Sequence, residues 1–234
     1  MVDQNFKSFR SVKKPILKSF HIIARLNFCK QFVTKPEGFW NNWIFSDETR
    51  ICCNGSDRPP LVRRKPGSSC LNEKFIRPTT KFPLSIMVWG CISRKGLGSL
   101  FIIEGSVTSE VYIKIIDQSL LPTIHKYYNG EEIVFQQDNA PSHTAKKTKE
   151  FMQNKGINAI TWPSNSPDLN PIENLWSFMK TQINKKNPSN KAELIRYAKE
   201  VWENEIPIDC IQTLIDSMPK RMQECIENKG SDTH

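Results

Sequence analysis

The chain has 234 residues, 38% of them hydrophobic, and no apolar run near the roughly 20 residues that span a bilayer, so we expect a soluble, intracellular globular protein. Its seven cysteines are odd in number and lack a C-x-x-C pair, which predicts reduced, mostly buried thiols rather than a zinc site or disulfides. Lys and Arg outnumber Asp and Glu by 33 to 24, and this net charge of +9 is typical of nucleic-acid-binding proteins, but equally of a basic face that only confers solubility.

The first 40 residues are basic and are predicted to be largely helical. Between residues 7 and 35 they carry eight Lys and Arg side chains and no acid. Ile22, Ile23 and Leu26 stand at helical spacing and are predicted to form a short buried stripe.

A sheet is predicted to follow. The first strand spans about 43–53, and residues 54–82, rich in Pro, Gly, Ser and Arg, are predicted to be an irregular basic excursion. Strands at 86–92 and 99–103, with two glycines between them, are predicted to form a hairpin.

Helices alternate with strands in the second half of the chain. Thr108 is predicted to cap a helix that ends near Leu121. A strand at 133–135, a helix over 142–156 and a strand at 157–162 form a βαβ unit, so the two strands should be parallel. Further helices are predicted over 171–185, after Asn190, and around Pro207 and Pro219. The whole order predicts an α/β fold, a ribonuclease H-like mixed five-stranded sheet flanked by helices, with C-terminal helices.

Three acids occupy positions that surface charge explains poorly. Asp47 lies in mid-strand, where its side chain should share a face with Trp43 and Phe45 while Glu48 points to the other face. Asp138 follows an apolar strand at the sheet edge where α/β folds bind ligands, and Glu173 lies in the first turn of a helix.

Acids that converge at one sheet edge repel each other, and divalent cations remove that repulsion. Mg²⁺ prefers oxygen ligands and retains water ligands, which leaves room for phosphate oxygens. Two such ions about 4 Å apart activate a water or a 3′-hydroxyl and stabilise the leaving oxygen of a phosphodiester.

Each position also has a purely structural interpretation. Asp47 could be an edge-strand residue, and Asp138 could form an Asx-turn with the residues after it. Asn170, Pro171 and Glu173 compose a variant capping box, which by spacing alone explains Glu173 better than catalysis does.

His143 and three tryptophans are the other candidates near the predicted site. His143 could approach the metal site or a substrate phosphate, although a structural role is the stronger interpretation. Trp89, Trp162 and Trp176 are interpreted as core residues rather than platforms for base stacking.

Four motifs give these residues a family context. They are FSDETR at 45–50, MVWGCIS at 87–93, QQDNAPSHTA at 136–145 and WPSNSPDLNPIENLW at 162–176. Together they closely resemble the DDE transposases of the Tc1/mariner superfamily, over roughly residues 7–230. The 34 residues between Asp138 and Glu173, closed by glutamate, resemble the Tc1-like branch, because the mariner branch ends in aspartate.

The resemblance implies that Asp47, Asp138 and Glu173 are the catalytic and metal-binding triad. It implies Mg²⁺ or Mn²⁺, two ions in all, with Asp47 and Asp138 holding both and Glu173 completing one site. The implied reaction is hydrolytic cleavage at transposon ends, followed by attack of the freed 3′-hydroxyl on target DNA.

The implied partners are double-stranded DNA, both transposon ends and target, and a second copy of the chain in a homodimer. No membrane and no small-molecule substrate are expected, and a nuclear location is expected from the substrate and the basic segment at 7–18. The DNA contacts expected are Lys13, Lys14, Arg63, Arg64, Lys65 and His143.

The chain departs from the family pattern in two places. Family members begin with a paired-like DNA-binding region, of which residues 1–40 are interpreted as a remnant plus a basic linker, ahead of a catalytic domain at 41–234. Where the family has Val-Trp-Arg, this chain has Val62-Arg63-Arg64. The first departure puts specific end recognition in doubt, and the second puts local packing or DNA contacts in doubt.

Three hypotheses for function follow from these features. The first is a metal-dependent nuclease and strand-transferase. The second is a catalytically idle DNA-binding remnant or domesticated host protein, whose binding would survive the loss of Asp138. The third, a ribonuclease H-like enzyme acting on another nucleic acid, is disfavoured by the flanking motifs.

Overall fold

The computed structural model describes residues 16–53 and 84–233. The excursion predicted at 54–82 lies outside the described residues. Within the described ranges the chain forms one mixed sheet with helices packed on both of its faces.

The sheet has five strands, the predicted number, although one of them, at Gly96–Leu97, lies in the turn predicted between the strands at 86–92 and 99–103. β1 (Trp43–Cys52) pairs antiparallel with β2 (Ser85–Ser93), and β2 in turn pairs antiparallel with β3 (Gly96–Leu97) and β4 (Phe101–Ile103). β5 (Val134–Gln136) lies parallel to β1 on its other side. The predicted mixed five-stranded sheet is therefore confirmed, and β1 and β5 are neighbours in it.

The strand predicted at 157–162 is reduced to a single parallel bridge between Phe135 and Ala159. Phe135 donates its N–H to Asn158 and accepts from the N–H of Ile160, at 2.8 and 2.9 Å. Trp162 then leaves the sheet to pack against Phe28. The prediction of a full strand is wrong because this tertiary contact draws the chain away from the sheet.

Four helices cover one face of the sheet. They are α2 (Ser109–Ile115), α3 (Leu121–Tyr128), α4 (Pro141–Thr144) and α5 (Lys146–Asn154). Thr108 caps α2 as predicted, because its hydroxyl accepts the N–H of Val111 at 3.3 Å. The helix does not end near Leu121, since a π-helical turn at Ile116–Leu120 joins α2 to α3.

The other face carries the remaining helices. They are α1 (Ser19–Phe32), α6 (Ile172–Lys186), α7 (Lys191–Asn204), α8 (Ile208–Asp216) and α9 (Met218–Glu227). Alternation along β1 supplies both cores, since Ile44 packs under α2 and α3 while Phe45 packs with Trp162 and Trp176 on the opposite face. No helix in the described ranges is both long and apolar enough to cross a membrane.

The buried face of α1 differs from the predicted stripe. Ile23 is 58% exposed, whereas Arg25, Phe28, Cys29 and Phe32 are buried. The reason is that α1 packs against α9 and against the core that contains Trp162, which turns a different side of the helix inward. α1 precedes the boundary expected at residue 40 and shares its core with residues beyond that boundary.

Candidate active site

The three predicted acids line one cavity of about 220 Å³. Asp47 lies in the middle of β1, Asp138 follows the end of β5, and Glu173 is the second residue of α6. Four cavities among the described residues are larger, at about 540, 480, 590 and 460 Å³, but none of them is lined by any of the three acids. Chemistry rather than size therefore identifies the candidate site.

The fold fixes the position of Asp47 from two sides. Trp176 of α6 donates its ring N–H to Asp47 Oδ2 at 3.2 Å. Across the sheet, Asp47 is in register with Gly90, and a Cβ on Gly90 would lie 2.8 Å from the rings of Trp176 and Trp202. Gly90 thus leaves the space in which Trp176 reaches the Asp47 carboxylate.

The cavity raises the pKa of two carboxyl groups. Burial, together with the negative charges of Glu173 and Glu48, raises the pKa of Asp47 to about 8. Burial also raises the pKa of Glu173, although the Lys180 ammonium and the contact with Asp47 work against that rise. Carboxyl oxygens that share one poorly solvated cavity are a donor set suited to a hard divalent cation.

Asp138 is held differently from the other two acids. Its Oδ1 accepts the backbone N–H of Ala140 at 2.9 Å, which is the predicted Asx-turn, and the same oxygen lies 2.6 Å from His143 Nδ1. Burial alone would raise the pKa of Asp138, but these two contacts lower it. Within residues 16–53 and 84–233, no three acid, His or Cys side chains are already gathered as a finished metal-ligand set.

Glu173 does not use its side chain to close the predicted capping box. Its N–H donates to the carbonyl of Asn170 at 3.3 Å, and Asn170 Oδ1 accepts the N–H of Ile172 at 3.4 Å, so Asn170 caps α6 in part. The Glu173 carboxyl group instead faces Asp47. Local sequence favours the cap, whereas the tertiary position of α6 brings the carboxyl group into the cavity.

His143 is buried, with 2% of its surface exposed, which does not fit the expectation that it contacts DNA. Its Nε2 lies 3.2 Å from Glu48 Oε1 and its Nδ1 faces Asp138, at angles that depart from ideal hydrogen bonds. Burial alone would lower the pKa of His143, but the two carboxylates raise it to about 9. The other expected DNA contacts, Lys13, Lys14, Arg63, Arg64 and Lys65, lie outside the described residues.

Two amide side chains, to which the sequence analysis assigned no contact across the cavity, hold its walls together. Asn139 Nδ2 donates to the carbonyl of Trp162 at 2.7 Å, and Asn170 Nδ2 donates to that of Ser46 at 3.1 Å. Ser46 is also bound to Gln136, through its N–H at 3.1 Å and its hydroxyl at 2.8 Å. The available signal was that these polar residues flank the acids within the motifs.

A second missed feature is the ion pair between Arg25 and Asp168. The guanidinium is fully buried and binds both carboxylate oxygens, at 2.7 and 2.6 Å. It also donates to the carbonyls of Asn165 and Gly230, at 3.2 and 2.9 Å. Asn165 lines the cavity, so this pair fixes one wall of the site to α1 and to the chain after α9.

Comparison with known proteins relates this chain to a family. Residues 42–196 match the family model described as DDE superfamily endonuclease. The Transposable element Tcb1 transposase of Caenorhabditis briggsae is 35% identical over 96% of this chain and 81% of its own length. The Transposable element Tc1 transposase of Caenorhabditis elegans is 34% identical over 94% of this chain and 80% of its own length.

A solved structure agrees with the fold. The crystal structure of the mariner Mos1 paired-end complex with Mg superposes with a TM-score of 0.87 over 99% of this chain and 69% of that chain. The two sequences are 18% identical, so this likeness concerns the fold, a ribonuclease H-like one.

Proposed function

Because the chain belongs to the DDE superfamily of endonucleases, among the Tc1/mariner transposases, we propose that Asp47, Asp138 and Glu173 are its catalytic triad. The observation that carries the proposal is that three acids, distant in sequence, line one small cavity at the sheet edge. The reaction is cleavage of phosphodiesters at transposon ends, followed by joining of the freed 3′-hydroxyl to target DNA.

The residues of the cavity fit Mg²⁺ or Mn²⁺. All three side chains offer carboxylate oxygens, and the pKa of Asp47, raised to about 8 by burial and by Glu173 and Glu48, marks a position that a cation would stabilise. We assign two ions to the site, both held by Asp47 and Asp138, with Glu173 as a ligand of one. When bound, such ions activate the attacking hydroxyl and stabilise the leaving oxygen.

The protein's own groups orient the triad. The ring N–H of Trp176 donates to Asp47 Oδ2, and the backbone N–H of Ala140 donates to Asp138 Oδ1. Both aspartates are therefore oriented before any substrate binds. Glu173 lies on a 15-residue helix that packs against β1, which places its carboxyl group on a rigid element.

The partners follow from the same reaction. We propose double-stranded DNA as the substrate, both as transposon ends and as target, because a net charge of +9 attracts a polyanion. Joining two ends to one target further supports a homodimer, and a chromosomal target supports a nuclear location. The relative in the Mos1 structure was solved as a paired-end complex.

The test is Mn²⁺-dependent nicking of supercoiled plasmid by the purified chain. We expect nicking by the parent chain and its loss, by at least about 100-fold, in Asp138→Asn and in Glu173→Gln, since each substitution removes one charged metal ligand. Asp117→Asn is the matched control, because Asp117 is an exposed acid on the helical turn between α2 and α3.

Two outcomes would count against the proposal. Equal nicking by the parent chain and Asp138→Asn would show that the cavity is not the site of cleavage. No nicking by any of them, with plasmid binding intact, would instead favour the catalytically idle DNA-binding protein.

A further inference from the structure

His143 lies between two carboxylates that belong to different strands. Its Nδ1 is 2.6 Å from Asp138 Oδ1, after β5, and its Nε2 is 3.2 Å from Glu48 Oε1, on β1. Glu48 directly follows Asp47 and points to the opposite face of the sheet. One imidazole therefore links the segments that carry two of the three proposed catalytic acids.

The surroundings leave the ring little freedom to turn. Tyr112 of α2 stacks on it with ring centroids 3.8 Å apart and an interplanar angle of 26°. The Tyr112 hydroxyl donates to Gln137 Oε1 at 2.7 Å, so the stacking partner is itself fixed beside Asp138. The backbone N–H of His143 donates to the carbonyl of Ala140 at 2.9 Å, which fixes the other end of the residue.

The two carboxylate oxygens of Asp138 have different surroundings. Oδ1 receives both the N–H of Ala140 and the Nδ1 side of His143. Oδ2 takes part in neither contact and is the oxygen left for a cation in the cavity. A carboxylate held by one oxygen in this way presents the other in a fixed direction.

We propose that His143 is a positioning residue, which orients Asp138 through its Oδ1 and connects β1 to the end of β5 through Glu48. The proposal rests on the proposed function, because it concerns how the triad binds its metal. It assigns the two ring nitrogens different importance: Nδ1 orients a metal ligand, while Nε2 only supports the strand.

This difference can be tested with two amides. In His143→Asn the amide nitrogen takes the place of Nδ1, and in His143→Gln it takes the place of Nε2. Mn²⁺ binding to the purified chain is measured by isothermal titration calorimetry, and the Mn²⁺ dependence of plasmid nicking is measured in parallel. Asn and Gln at exposed His125 on α3 serve as matched controls.

We expect His143→Gln to weaken Mn²⁺ binding by about 10- to 100-fold, the usual effect of losing a partner that orients a ligand. His143→Asn should stay within a few-fold of the parent chain. Nicking by His143→Gln should recover toward the parent rate at saturating Mn²⁺, because the triad itself is intact.

The outcomes separate this proposal from the one on which it rests. If Asn and Gln at position 143 weaken Mn²⁺ binding equally, in proportion to a fall in melting temperature, His143 only packs against Tyr112 and the positioning role is overturned. If Asp138→Asn also binds Mn²⁺ as tightly as the parent chain, the triad assignment fails as well.

Discussion

The carboxyl group of Asp47 lies in the middle of β1, beneath α6 and beside Glu173. Burial and the two neighbouring acids raise its pKa to about 8, against 3.8 for an ordinary aspartate. The folded protein therefore binds a proton at neutral pH that the unfolded chain has already released. By linkage, the free energy of unfolding falls as the pH rises between these two values.

Replacing Asp47 with Asn should flatten this dependence. For one proton the slope is at most about 1.4 kcal/mol per pH unit. We expect urea unfolding of the parent chain without divalent cations to show falling stability from pH 5 to 8, and Asp47→Asn to lose most of that fall. The same experiment on Asp117→Asn should retain it.

His143 adds a second slope of the same sign. Its folded pKa of about 9, raised above 6.5 by Asp138 and Glu48 against the effect of burial, gives stability that is present below pH 6.5 and is lost as the pH rises toward 9. A residual slope above pH 6.5 in Asp47→Asn is therefore expected. An unchanged slope between pH 5 and 6.5 would show that Asp47 is ionised in the folded protein.

At the scale of elements, the residue pattern correctly predicted those helices and strands that interactions between residues close in sequence determine. The strand around Asp47, the hairpin after it and the start of the helix capped by Thr108 all depend on residues close in sequence, and the structure confirms them. The buried stripe of α1 and the strand at 157–162 were wrong, because each is decided by packing against Trp162. The hydrophobic pattern of a single element carries no information about a packing partner that is distant in sequence.

The Arg25–Asp168 pair shows how elements are joined to the cavity. It connects α1, the loop before α6 and the chain after α9, since Thr233 also donates to Asp168 Oδ2, at 2.8 Å from its N–H. The partners are 143 residues apart, and neither is unusual in its own segment. Sequence spacing therefore could not identify the pair. The pair nevertheless holds in place the loop before α6, which lines the cavity and leads to Glu173.

Asp168→Asn should destabilise the protein by about 3–5 kcal/mol, because it leaves a fully buried guanidinium without its counter-charge. The chain provides a matched control in Arg94 and Asp216, which form the same two-oxygen contact with 38% and 53% of their side chains exposed. Asp216→Asn should cost at most about 1 kcal/mol. Urea unfolding of both variants measures the difference, and equal losses would show that the buried pair contributes no more than an exposed one.

At the scale of the whole molecule, topology explains why the acids could be predicted and their supports could not. β1 lies parallel to β5, so the acids on and after these strands meet at one sheet edge, and the 34-residue gap places Glu173 beside them. His143 contacts Glu48 across 95 residues of chain, a relation that appears only when both strands are in place. The motifs contain the three acids that we propose as ligands, and three-dimensional packing orients their side chains.

Charge is the other property of the whole molecule, and it is uneven. Residues 1–14 carry Lys7, Arg10, Lys13 and Lys14 against one acid, Asp3. Each Lys or Arg that neutralises a phosphate adds about 0.9 to the slope of log K against log salt concentration. We expect binding of the parent chain to a random DNA duplex to weaken steeply with salt, and a chain lacking residues 1–14 to show a slope smaller by up to about 3.6.

Fluorescence anisotropy between 50 and 200 mM salt measures this slope. Asp138→Asn in the parent chain is the control and should keep the steep dependence, because a carboxylate does not neutralise a phosphate and no divalent cation is present to bridge the two. Mn²⁺-dependent nicking by the shortened chain should persist at low salt, where binding is still tight, since the three acids are untouched. An unchanged salt slope would place the DNA contacts on residues after 14, and loss of nicking at low salt would show that the basic segment delivers DNA to the cavity as well as binding it.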